Sequence, residues 1–446
     1  MALTGVEIFK LLPKTNCKKC GHPTCLAFAM KLAQRQASLD ACPDVSEEAK
    51  KVLGEASAPP VRPISFGVGA KSVKMGEETV LFRHEKKFVN PSVFALEIKD
   101  TMADDEIAKL AEEVVHSEMD RVGQKLRIDA LFIHNASGDA GRFEAVVKAV
   151  AAKAPDVPVI ISAGNPAAAE AGIKVVADKK PILYGADESN ADAMANIAKT
   201  HKATLGVSAK GPDALSALTE KVKALGIEDI VIDHGARTSK EMLQNNTLIR
   251  RAAIKKNFKP LGYPVIAFAQ RDDSMLEALV ATLCIAKYSS IVVLSKIEKW
   301  KNLALFTSRQ NIYTDPQVPM QVEQKIYKIG EPSPESPLMI TTNFSLTYFI
   351  VSGEVENSKV ACRLAVMDSE GLSVLTAWAA GKFSASKIAQ FIQESGVENE
   401  VKNKELIIPG YVAILSGAIE EKLPGWKVTV GPREANAIPT FLKSRA

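Results

Sequence analysis

The stretch DALFIHNASGDAGRFEAVVKAVAAKAPDVPVIISAGN, residues 129–165, contains one full unit of the pattern that decides the fold. A short apolar run, Ala130–Ile133, precedes a helix-compatible segment, Phe143–Ala154, and a second apolar run, Pro158–Ser162, follows. Short apolar runs that alternate with helices are typical of parallel sheets with helical crossovers. The stretch therefore predicts a strand, a helix and a second strand parallel to the first.

The same alternation continues on both sides of this unit. Most intervals between the apolar runs are compatible with a helix, as in Asp213–Leu225. The eight runs are Ala95–Ile98, Ala130–Ile133, Pro158–Ser162, Ile182–Tyr184, Leu205–Val207, Ile230–Ile232, Val265–Phe268 and Ile291–Leu294. Eight such units predict a (β/α)8 TIM barrel, and a doubly wound open sheet is the alternative. The earlier run Val80–Phe82 is expected to form part of an N-terminal lid or hairpin.

Two proline-rich stretches interrupt the chain, ASAPPVRP at 56–63 and GEPSPESP at 330–337. Proline fixes its own φ and restricts the residue before it, so neither stretch fits a helix interior or a central strand. We interpret both stretches as semi-rigid linkers that allow domain movement. The predicted domains are residues 1–57, 64–325 and 330–446.

The third of these segments also alternates between strands and helices. The predicted strands are Leu338–Thr341, Val360–Val366, Leu406–Ile408 and Val428–Val430, and the predicted helices are Ser345–Glu356, Ser384–Ser395 and Glu434–Lys443. This order predicts a small α/β, Rossmann-like sandwich of the nucleotide- or cofactor-binding type.

The composition of the 446 residues limits the possible classes of protein. Hydrophobic residues make up 46%, which excludes a disordered or collagen-like chain. The formal net charge is +4, so charge gives no case for a nucleic acid partner. No apolar run reaches the about 18 residues of a membrane-spanning helix, and the N-terminal MALTGVEIFKLLPK lacks a signal-peptide core. These features predict a cytoplasmic protein with no membrane partner.

Cysteine is concentrated at the N-terminus, where four of the six lie within 42 residues as Cys17, Cys20, Cys25 and Cys42. A [4Fe–4S] cluster needs four thiolates that converge from different directions, and the spacing C-x2-C-x4-C-x16-C supplies a tight loop plus one distant thiol. A tetrahedral zinc site is the alternative, although zinc ribbons usually contain two C-x2-C pairs. The remaining two cysteines, Cys284 and Cys362, are expected to pack as small buried hydrophobes.

Several longer motifs make the chain recognisable. The opening KLLPKTNCKKCGHPTCLAFAMKLAQRQASLDACP, 10–43, resembles the four-cysteine iron–sulfur domain of corrinoid and carbon monoxide metabolism. Four C-terminal motifs narrow the resemblance: TTNFSLTYF (341–349), DSEGLSVLTAWAAGKF (368–383), IIPGYVAILSGAIEE (407–421) and GPREA (431–435). Over essentially its full length, the chain resembles the large (gamma) subunits of the corrinoid iron–sulfur protein of the reductive acetyl-CoA pathway.

The resemblance implies a methyl carrier, a component of a corrinoid-dependent methyltransferase system. In that family the Co(I) of a cobamide accepts a methyl group from methyltetrahydrofolate or a methanogen's pterin, held by a separate methyltransferase. The methyl group then passes to CO dehydrogenase/acetyl-CoA synthase. A [4Fe–4S] cluster relays electrons that reactivate Co(II). The implied partners are a smaller barrel subunit in a heterodimer, the methyltransferase, acetyl-CoA synthase and a reductive activator.

Candidate corrinoid contacts lie in turns that follow predicted strands, where backbone N–H groups and hydroxyls match the corrin's amide rim and phosphate. The turns comprise Gly371, Leu372, Ser373, Val374, Leu375 and Thr376; Gly410, Tyr411, Val412, Ala413, Leu415, Ser416 and Gly417; and Gly431, Pro432, Arg433, Glu434 and Ala435. Matching to the family's motifs adds Thr341 and Thr347. Together these residues predict one crevice at the carboxyl edge of a sheet, with cobalt rather than a side chain as the reactive centre.

The C-terminal segment contains no histidine, since the last one in the chain is His234. A cobamide domain of the D-x-H-x-x-G type places an imidazole below cobalt, and this segment has none to offer. This absence fits the base-off cobamide without a histidine ligand that the resemblance implies, a state in which Co(II) is easier to reduce. Trp378 and Tyr411 are expected to pack in the core rather than to face the corrin.

Polar residues also follow the predicted barrel strands: His134, Asn135, Asn165, Asp187, Asp233, His234, Gln270 and Arg271. In barrel enzymes this rim holds the active site, so a pterin site in the barrel is one hypothesis. The resemblance favours a barrel that serves as a scaffold for the corrinoid domain. An iron–sulfur electron-transfer module on a barrel, without corrinoid, is the alternative from a different class.

Overall fold

The computed structural model describes residues 5–33, 37, 39–46, 49, 59–121 and 124–445. The chain divides into two units. The first comprises Met1–Glu118 and Arg127–Tyr313, and the second comprises Met119–Leu126 and Thr314–Ala446. Residues 56–58 of the first proline-rich stretch lie outside the described residues, so only part of the predicted linker can be described.

The strands are short, and most of them are buried. In chain order they are β1 (Ile64–Phe66), β2 (Val73–Met75), β3 (Val93–Lys99), β4 (Met119–Arg121), β5 (Gln124–Leu126), β6 (Ala130–His134), β7 (Val159–Ser162), β8 (Ile182–Ala186), β9 (Thr204–Ser208), β10 (Ile230–Asp233), β11 (Ile266–Phe268), β12 (Ile291–Leu294), β13 (Lys325–Ile329), β14 (Leu338–Thr342), β15 (Cys362–Met367), β16 (Glu405–Ile408) and β17 (Lys427–Val430).

The helices fall mainly between these strands. They are α1 (Gly5–Leu11), α2 (Cys25–Ala33), α3 (Asp104–Val115), α4 (Ala140–Lys153), α5 (Pro166–Val175), α6 (Ala191–Thr200), α7 (Pro212–Ala224), α8 (Ser239–Lys255), α9 (Ser274–Ala286), α10 (Lys299–Tyr313), α11 (Ser345–Ser358), α12 (Val374–Ala379), α13 (Ala385–Glu394), α14 (Ser416–Lys422) and α15 (Ile438–Lys443). None of these described helices combines the length and the apolar composition that crossing a membrane requires.

The first unit contains the predicted barrel. Its eight strands are all parallel neighbours in the order β10-β9-β8-β7-β6-β3-β12-β11, and a parallel bridge between Ile232 and Val265 joins the two ends. All eight predicted apolar runs fall in these strands, and the bridge rules out the open-sheet alternative. Inward-facing apolar side chains fill the interior as in other barrels of this size, with Phe132, Ile160 and Val231 among them.

An antiparallel hairpin, β1–β2, precedes the barrel and contributes Ile64, Phe66 and Met75 to its core. The backbone N–H of Gly67 donates to the carbonyl of Lys180, two residues before β8, so the hairpin lies at the amino-terminal end of the strands. The expectation that Val80–Phe82 forms a lid or hairpin is wrong, because that run is irregular and follows the hairpin.

The second unit has a five-stranded sheet in the order β13-β15-β14-β16-β17, parallel except for β13. Successive residues point to opposite faces. Leu338 and Ile340 face a core shared with α13 and α14, whereas Met339 packs with residues of α11 and α15. The four predicted strands and the α/β alternation of this segment are confirmed.

The proline-rich stretch 330–337 is not an interdomain linker, and that interpretation is wrong. It connects β13 to β14 within one sheet, and Nη1 of Arg363 holds the carbonyl of Ser333 at 2.6 Å. The sequence signal for β13 is weak because KIYKI places Lys325 and Lys328 on an exposed edge strand. The division of the chain into domains 1–57, 64–325 and 330–446 stays a prediction.

Candidate functional site

The four N-terminal cysteines lie in and beside a small core formed by α1 and α2. Cys25 and Cys42 are buried with Ile8 and Phe28, Cys20 is half-buried against this core, and Cys17 is exposed. Cys17 and Cys20 lie in the loop before α2, Cys25 is the first residue of α2, and Cys42 follows a short helical turn, Leu39–Ala41. All four therefore lie at one end of a single small module.

The loop before α2 has an unusual backbone. Lys14, Asn16 and Lys18 all have positive φ, at 59°, 50° and 61°. The Asn16 N–H donates to Sγ of Cys25 at 3.4 Å, and the Asn16 side chain accepts the N–H of Cys25 at 2.8 Å. Alternating left-handed residues turn backbone N–H groups to one side, which makes a concave site for an anion such as an iron–sulfur core.

The electrostatics of this module show that the four sulfurs share one environment. Burial raises the pKa of the Cys42 thiol, and the charges of the other three thiolates raise it further against the opposing N–H of Asp44. Such a thiol ionises readily only with a metal bound. Nζ of Lys19 lies 3.2 Å from the Asp44 carboxylate at the exposed side.

The two remaining cysteines are inert by position. Cys284 and Cys362 are fully buried, and burial raises the pKa of these thiols to about 11 and about 12. Both lie in apolar cores, in keeping with the predicted packing role.

The second unit has a crevice at the carboxyl edge of its sheet. The chain leaves β14 toward β15 and later returns on the other side of β14 as β16, so the direction of connection reverses there. Crevices at such switch points are the usual ligand sites of open α/β sheets. This one has a volume of about 330 Å³. It is lined by Met339, Ile340, Thr341, Thr347, Ile350, Val351, Ser373, Val374, Leu375, Ile408, Pro409, Tyr411, Gly431, Pro432, Arg433, Glu434, Ala435 and Ile438.

Many of the sequence-predicted residues meet in this crevice. Thr341, Thr347, Ser373–Leu375, Tyr411 and the whole turn Gly431–Ala435 line it. The other predicted residues do not reach the lining: Gly371, Leu372, Thr376, Gly410, Val412, Ala413, Leu415, Ser416 and Gly417. Val412 is fully buried in the core, and Leu372 and Leu415 pack against that core, so these three serve the fold.

Gly410 has a structural requirement of its own. Its N–H donates to the carbonyl of Pro432 at 3.0 Å, and a Cβ at this position would lie 2.6 Å from the Gly431 carbonyl oxygen. Only glycine allows two lining turns to approach so closely. Gly410 thus shapes the crevice without lining it.

Thr341 provides an unmet hydrogen bond inside the crevice. It is 1% exposed, and its hydroxyl has no hydrogen-bond partner among the described residues. Buried polar atoms in native proteins are nearly always paired, and a bound ligand is one way to satisfy them. The chemistry of this lining, mainly apolar with a free hydroxyl and backbone donors, fits a corrin with an amide rim.

The prediction that Trp378 and Tyr411 pack in the core is wrong. They are 41% and 43% exposed, at or near the mouth of the crevice. The phenol of Tyr411 donates to the carboxylate of Glu434, and that hydrogen bond raises the pKa of Tyr411. Large apolar side chains that stay exposed beside a crevice are typical of a binding surface.

The sequence analysis missed part of the lining: Met339, Ile340, Ile350, Val351, Ile408, Pro409 and Ile438. For some of these residues, the spacing in the sequence indicates that they share a face with a predicted contact. Met339 shares the strand face of Thr341, and Ile350 and Val351 lie one helical turn after Thr347. Ile438 is brought in only by the packing of α15.

At the carboxyl end of the barrel strands, unlike in the crevice, the buried Asp233 has several hydrogen-bond partners. Asp233 is buried, and it accepts hydrogen bonds from the Tyr184 hydroxyl at 2.6 Å, the Ser208 hydroxyl at 3.1 Å and Nη2 of Arg237 at 2.9 Å. Burial alone would raise the pKa of Asp233, but its hydrogen bond and ion pair with Arg237 lower it. The carboxylate is thus ionised and fully engaged.

Other predicted rim residues are also engaged within the chain. His134 lies 3.0 Å from the Ser162 hydroxyl, and His234 lies 2.8 Å from Oδ1 of Asn246. Burial lowers the pKa of both histidines. The side chain of Asn165 caps α5, so these three residues have partners within the chain.

Polar residues in the turns of the rim also form hydrogen bonds within the chain. Asn135 donates to Asp100 at 2.7 Å, and Asp187 accepts from the N–H of Ser189 at 2.8 Å. Arg271 donates to its neighbour's carbonyl, that of Gln270. These contacts shape strand-to-helix turns, which favours a scaffold role for the barrel.

Two protein-family models match different parts of this chain. A family model described as CO dehydrogenase/acetyl-CoA synthase delta subunit matches residues 63–442, and an Fe-S cluster model matches residues 12–43. The corrinoid/iron-sulfur protein large subunit of Moorella thermoacetica is 44% identical over 444 residues, covering 100% of this chain and 99% of the relative. The acetyl-CoA decarbonylase/synthase complex subunit gamma of Methanothermobacter thermautotrophicus is 34% identical, covering 100% of both chains.

Proposed function

Because the chain belongs to the family of corrinoid iron–sulfur protein large subunits, the gamma subunits of acetyl-CoA decarbonylase/synthase complexes, we propose that it is a methyl carrier. A cobamide in the crevice supplies a cobalt that accepts a methyl group from a methylated pterin and donates it to acetyl-CoA synthase. The observation that carries this proposal is the apolar crevice at the sheet's switch point, with the unpaired Thr341 hydroxyl inside it.

The chain's own residues hold and shield the group in this proposal. Ile350 and Leu375 would give apolar contact that keeps water away from a bound corrin, and Thr341, Thr347 and Ser373 would offer hydroxyls to its amides. The second unit contains no histidine, so no imidazole from it ligates the metal. A cobamide bound here would therefore rely on the hydroxyls, backbone groups and apolar side chains of the crevice.

We also propose that Cys17, Cys20, Cys25 and Cys42 hold a [4Fe–4S] cluster that relays electrons for reductive reactivation of cobalt. The match of residues 12–43 to an Fe-S cluster model, the shared environment of the four thiols and the left-handed loop support this assignment. The cysteine ligands supply the charge that tunes such a cluster.

The proposed partners follow from the same role. They are a small barrel subunit in a heterodimer, a methyltransferase that holds the methylated pterin, CO dehydrogenase/acetyl-CoA synthase and a reductive activator, all in the cytoplasm. The names of the relatives as a large subunit and as a subunit of a complex support a multi-protein assembly.

Anaerobic purification with iron, cobalt and zinc analysis and an absorption spectrum tests the proposal. We expect about four iron and one cobalt per chain. Iron without cobalt, even after incubation with cobamide, would instead support an electron-transfer module without corrinoid. Zinc alone would overturn both readings, and tight binding of a methylated pterin by the isolated chain would favour a barrel methyltransferase.

The Cys42→Ala variant separates the two cofactor sites. Loss of one of four ligands should lower the iron content and slow the reactivation of Co(II), while methyl transfer from preformed Co(I) is retained. Cys284→Ala is the control, because that buried thiol lies in the barrel. Equal loss of both activities in Cys42→Ala would contradict the relay role.

A further inference from the structure

Asn343, the first residue after β14, has a side chain at the centre of a buried hydrogen-bond network. It is 3% exposed. Its amide oxygen accepts the N–H and the hydroxyl of Ser369, both at 3.0 Å, and the N–H of Gly371 at 3.1 Å. Three donors from the turn after β15 therefore converge on one oxygen atom.

The rest of Asn343 binds two further groups. Its Nδ2 donates to Oδ1 of Asp368 at 2.9 Å and to Oε1 of Gln321 at 3.3 Å. Its backbone carbonyl accepts the N–H of Val322 at 2.9 Å. One residue thus fastens the end of β14 to the turn after β15 and to the segment before β13.

The turn that Asn343 binds has a backbone conformation that other contacts must stabilise. Glu370 and Gly371 have successive positive φ values of 58° and 72°. A left-handed conformation is costly for a residue such as glutamate and persists where its surroundings enforce it. A Cβ on Gly371 would lie 2.8 Å from Cγ of Gln321, so the turn also packs tightly against the fastened segment.

The position of this turn decides the geometry of the crevice. Ser373, Val374 and Leu375 follow it directly and line one side, while Thr341 lies two residues before Asn343 and lines the other. We propose that Asn343 is a positioning residue for cobamide, setting the separation between Ser373–Leu375 and Thr341. This inference rests on the proposed cobamide site and names the side chain that preforms it.

Two substitutions remove different parts of the network. Asn343→Ala leaves the N–H groups of Ser369 and Gly371 buried without their acceptor, so the turn should relax. Asn343→Asp keeps the accepting oxygens but loses both donated bonds and places a carboxylate beside Asp368. We therefore expect the alanine variant to be affected more strongly than the aspartate variant.

The test compares equilibrium binding of cobamide, followed by absorption, with amide hydrogen exchange of residues 368–375 in the cobamide-free protein. Asn343→Ala should weaken binding about tenfold or more and speed exchange in the turn, with Asn343→Asp in between. Asn357→Ala, an exposed asparagine at the end of α11, is the matched control and should change neither measurement.

Ile388→Ala shows how far a general loss of stability in this unit weakens cobamide binding. It removes a fully buried side chain from α13, in the same unit as Asn343. If Asn343→Ala weakens cobamide binding no more than Ile388→Ala, the positioning role is overturned. It is also overturned if Asn343→Ala binds cobamide as the unmodified protein does. If Asn343→Ala lacks a cooperative unfolding transition, the aspartate variant decides by the same criteria. Failure of the unmodified protein to bind cobamide would overturn the proposed function instead.

Discussion

The two parallel sheets of this protein both end in polar side chains, but they end differently. At the carboxyl end of the barrel, Asp233 is 1% exposed and binds Tyr184, Ser208 and Arg237. At the carboxyl edge of the second unit's sheet, the equally buried Thr341 hydroxyl has no partner in the described part of the chain.

The difference teaches how to tell a scaffold from a site. Both edges occupy the position where ligands bind to parallel sheets. In the barrel, Asp233 and its three partners satisfy one another, so a ligand at that point would have to break existing pairs. The crevice edge keeps an unmet hydroxyl and exposed apolar side chains, which a ligand would satisfy and cover.

The largest expected effect is a loss of stability when the hydrogen-bond network around Asp233 in the barrel is removed. Asp233→Ala leaves Arg237 and Tyr184 without their buried acceptor and should lower the free energy of unfolding by about 3 kcal/mol. Chemical denaturation measures the loss, and cobamide affinity at a temperature where the variant is folded should not change. The control is Asp156→Ala, an exposed carboxylate after α4. A large loss of cobamide affinity in folded Asp233→Ala would show that the barrel edge is part of the site.

The next effect comes from filling the crevice. Thr347→Trp places a large ring among the lining residues and should weaken cobamide binding about tenfold or more, with stability changed by roughly 0.5 kcal/mol or less. Leu346→Trp, at the exposed neighbouring position of α11, is the control. Equal binding by the two variants would place the corrin elsewhere.

Thr341→Val should have smaller effects, which increase stability but weaken cobamide binding. Removing a buried hydroxyl that has no partner should raise the free energy of unfolding of the cobamide-free protein by roughly 1 kcal/mol. The same change should weaken cobamide binding, because the ligand loses a hydrogen bond. Denaturation and binding titrations of one preparation measure both. A variant that is destabilised and binds normally would mean that the hydroxyl is paired in the free protein.

The smallest effect is a pH dependence confined to the barrel. Burial lowers the pKa of His134 and His234 below the value of about 6.5 in an unfolded chain. The unfolded state then binds more protons, so stability is full above this pH and falls as pH drops toward the folded-state pKa values. Denaturation between pH 7.5 and about pH 5 measures the slope, which His234→Gln should reduce.

His116→Gln is the control for this slope, because that histidine lies at the exposed end of α3. The second unit contains no histidine and should lose less stability over the same range. A steeper loss in the second unit would assign the pH dependence to other groups.

Local signals explain what could be predicted. The eight barrel strands are short apolar runs buried on both faces, so each can be recognised without knowing its neighbours. The cysteine spacing is likewise local to one loop and its return. The turns near Ser373, Tyr411 and Gly431 were predicted because each follows a strand, and glycine marks the close approach of backbone.

Features that depend on distant residues could not be predicted. The edge strand β13 has no apolar alternation of its own, so the stretch 330–337 was mistaken for a linker. Trp378 and Tyr411 are large and apolar like core residues, but the packing around them leaves both exposed. Ile438 lines the crevice only because α15 packs back onto the sheet.

The sequence by itself determined the repeated strand–helix units, the four-thiol module and the absence of histidine after His234. Only the tertiary structure decided which buried polar side chains at the two edges are paired. Hydrogen bonding between residues far apart in the chain satisfies Asp233 through Tyr184, whereas the Thr341 hydroxyl has no partner among the described residues. Pairing of that kind is a property of packed neighbours, and no local pattern records it.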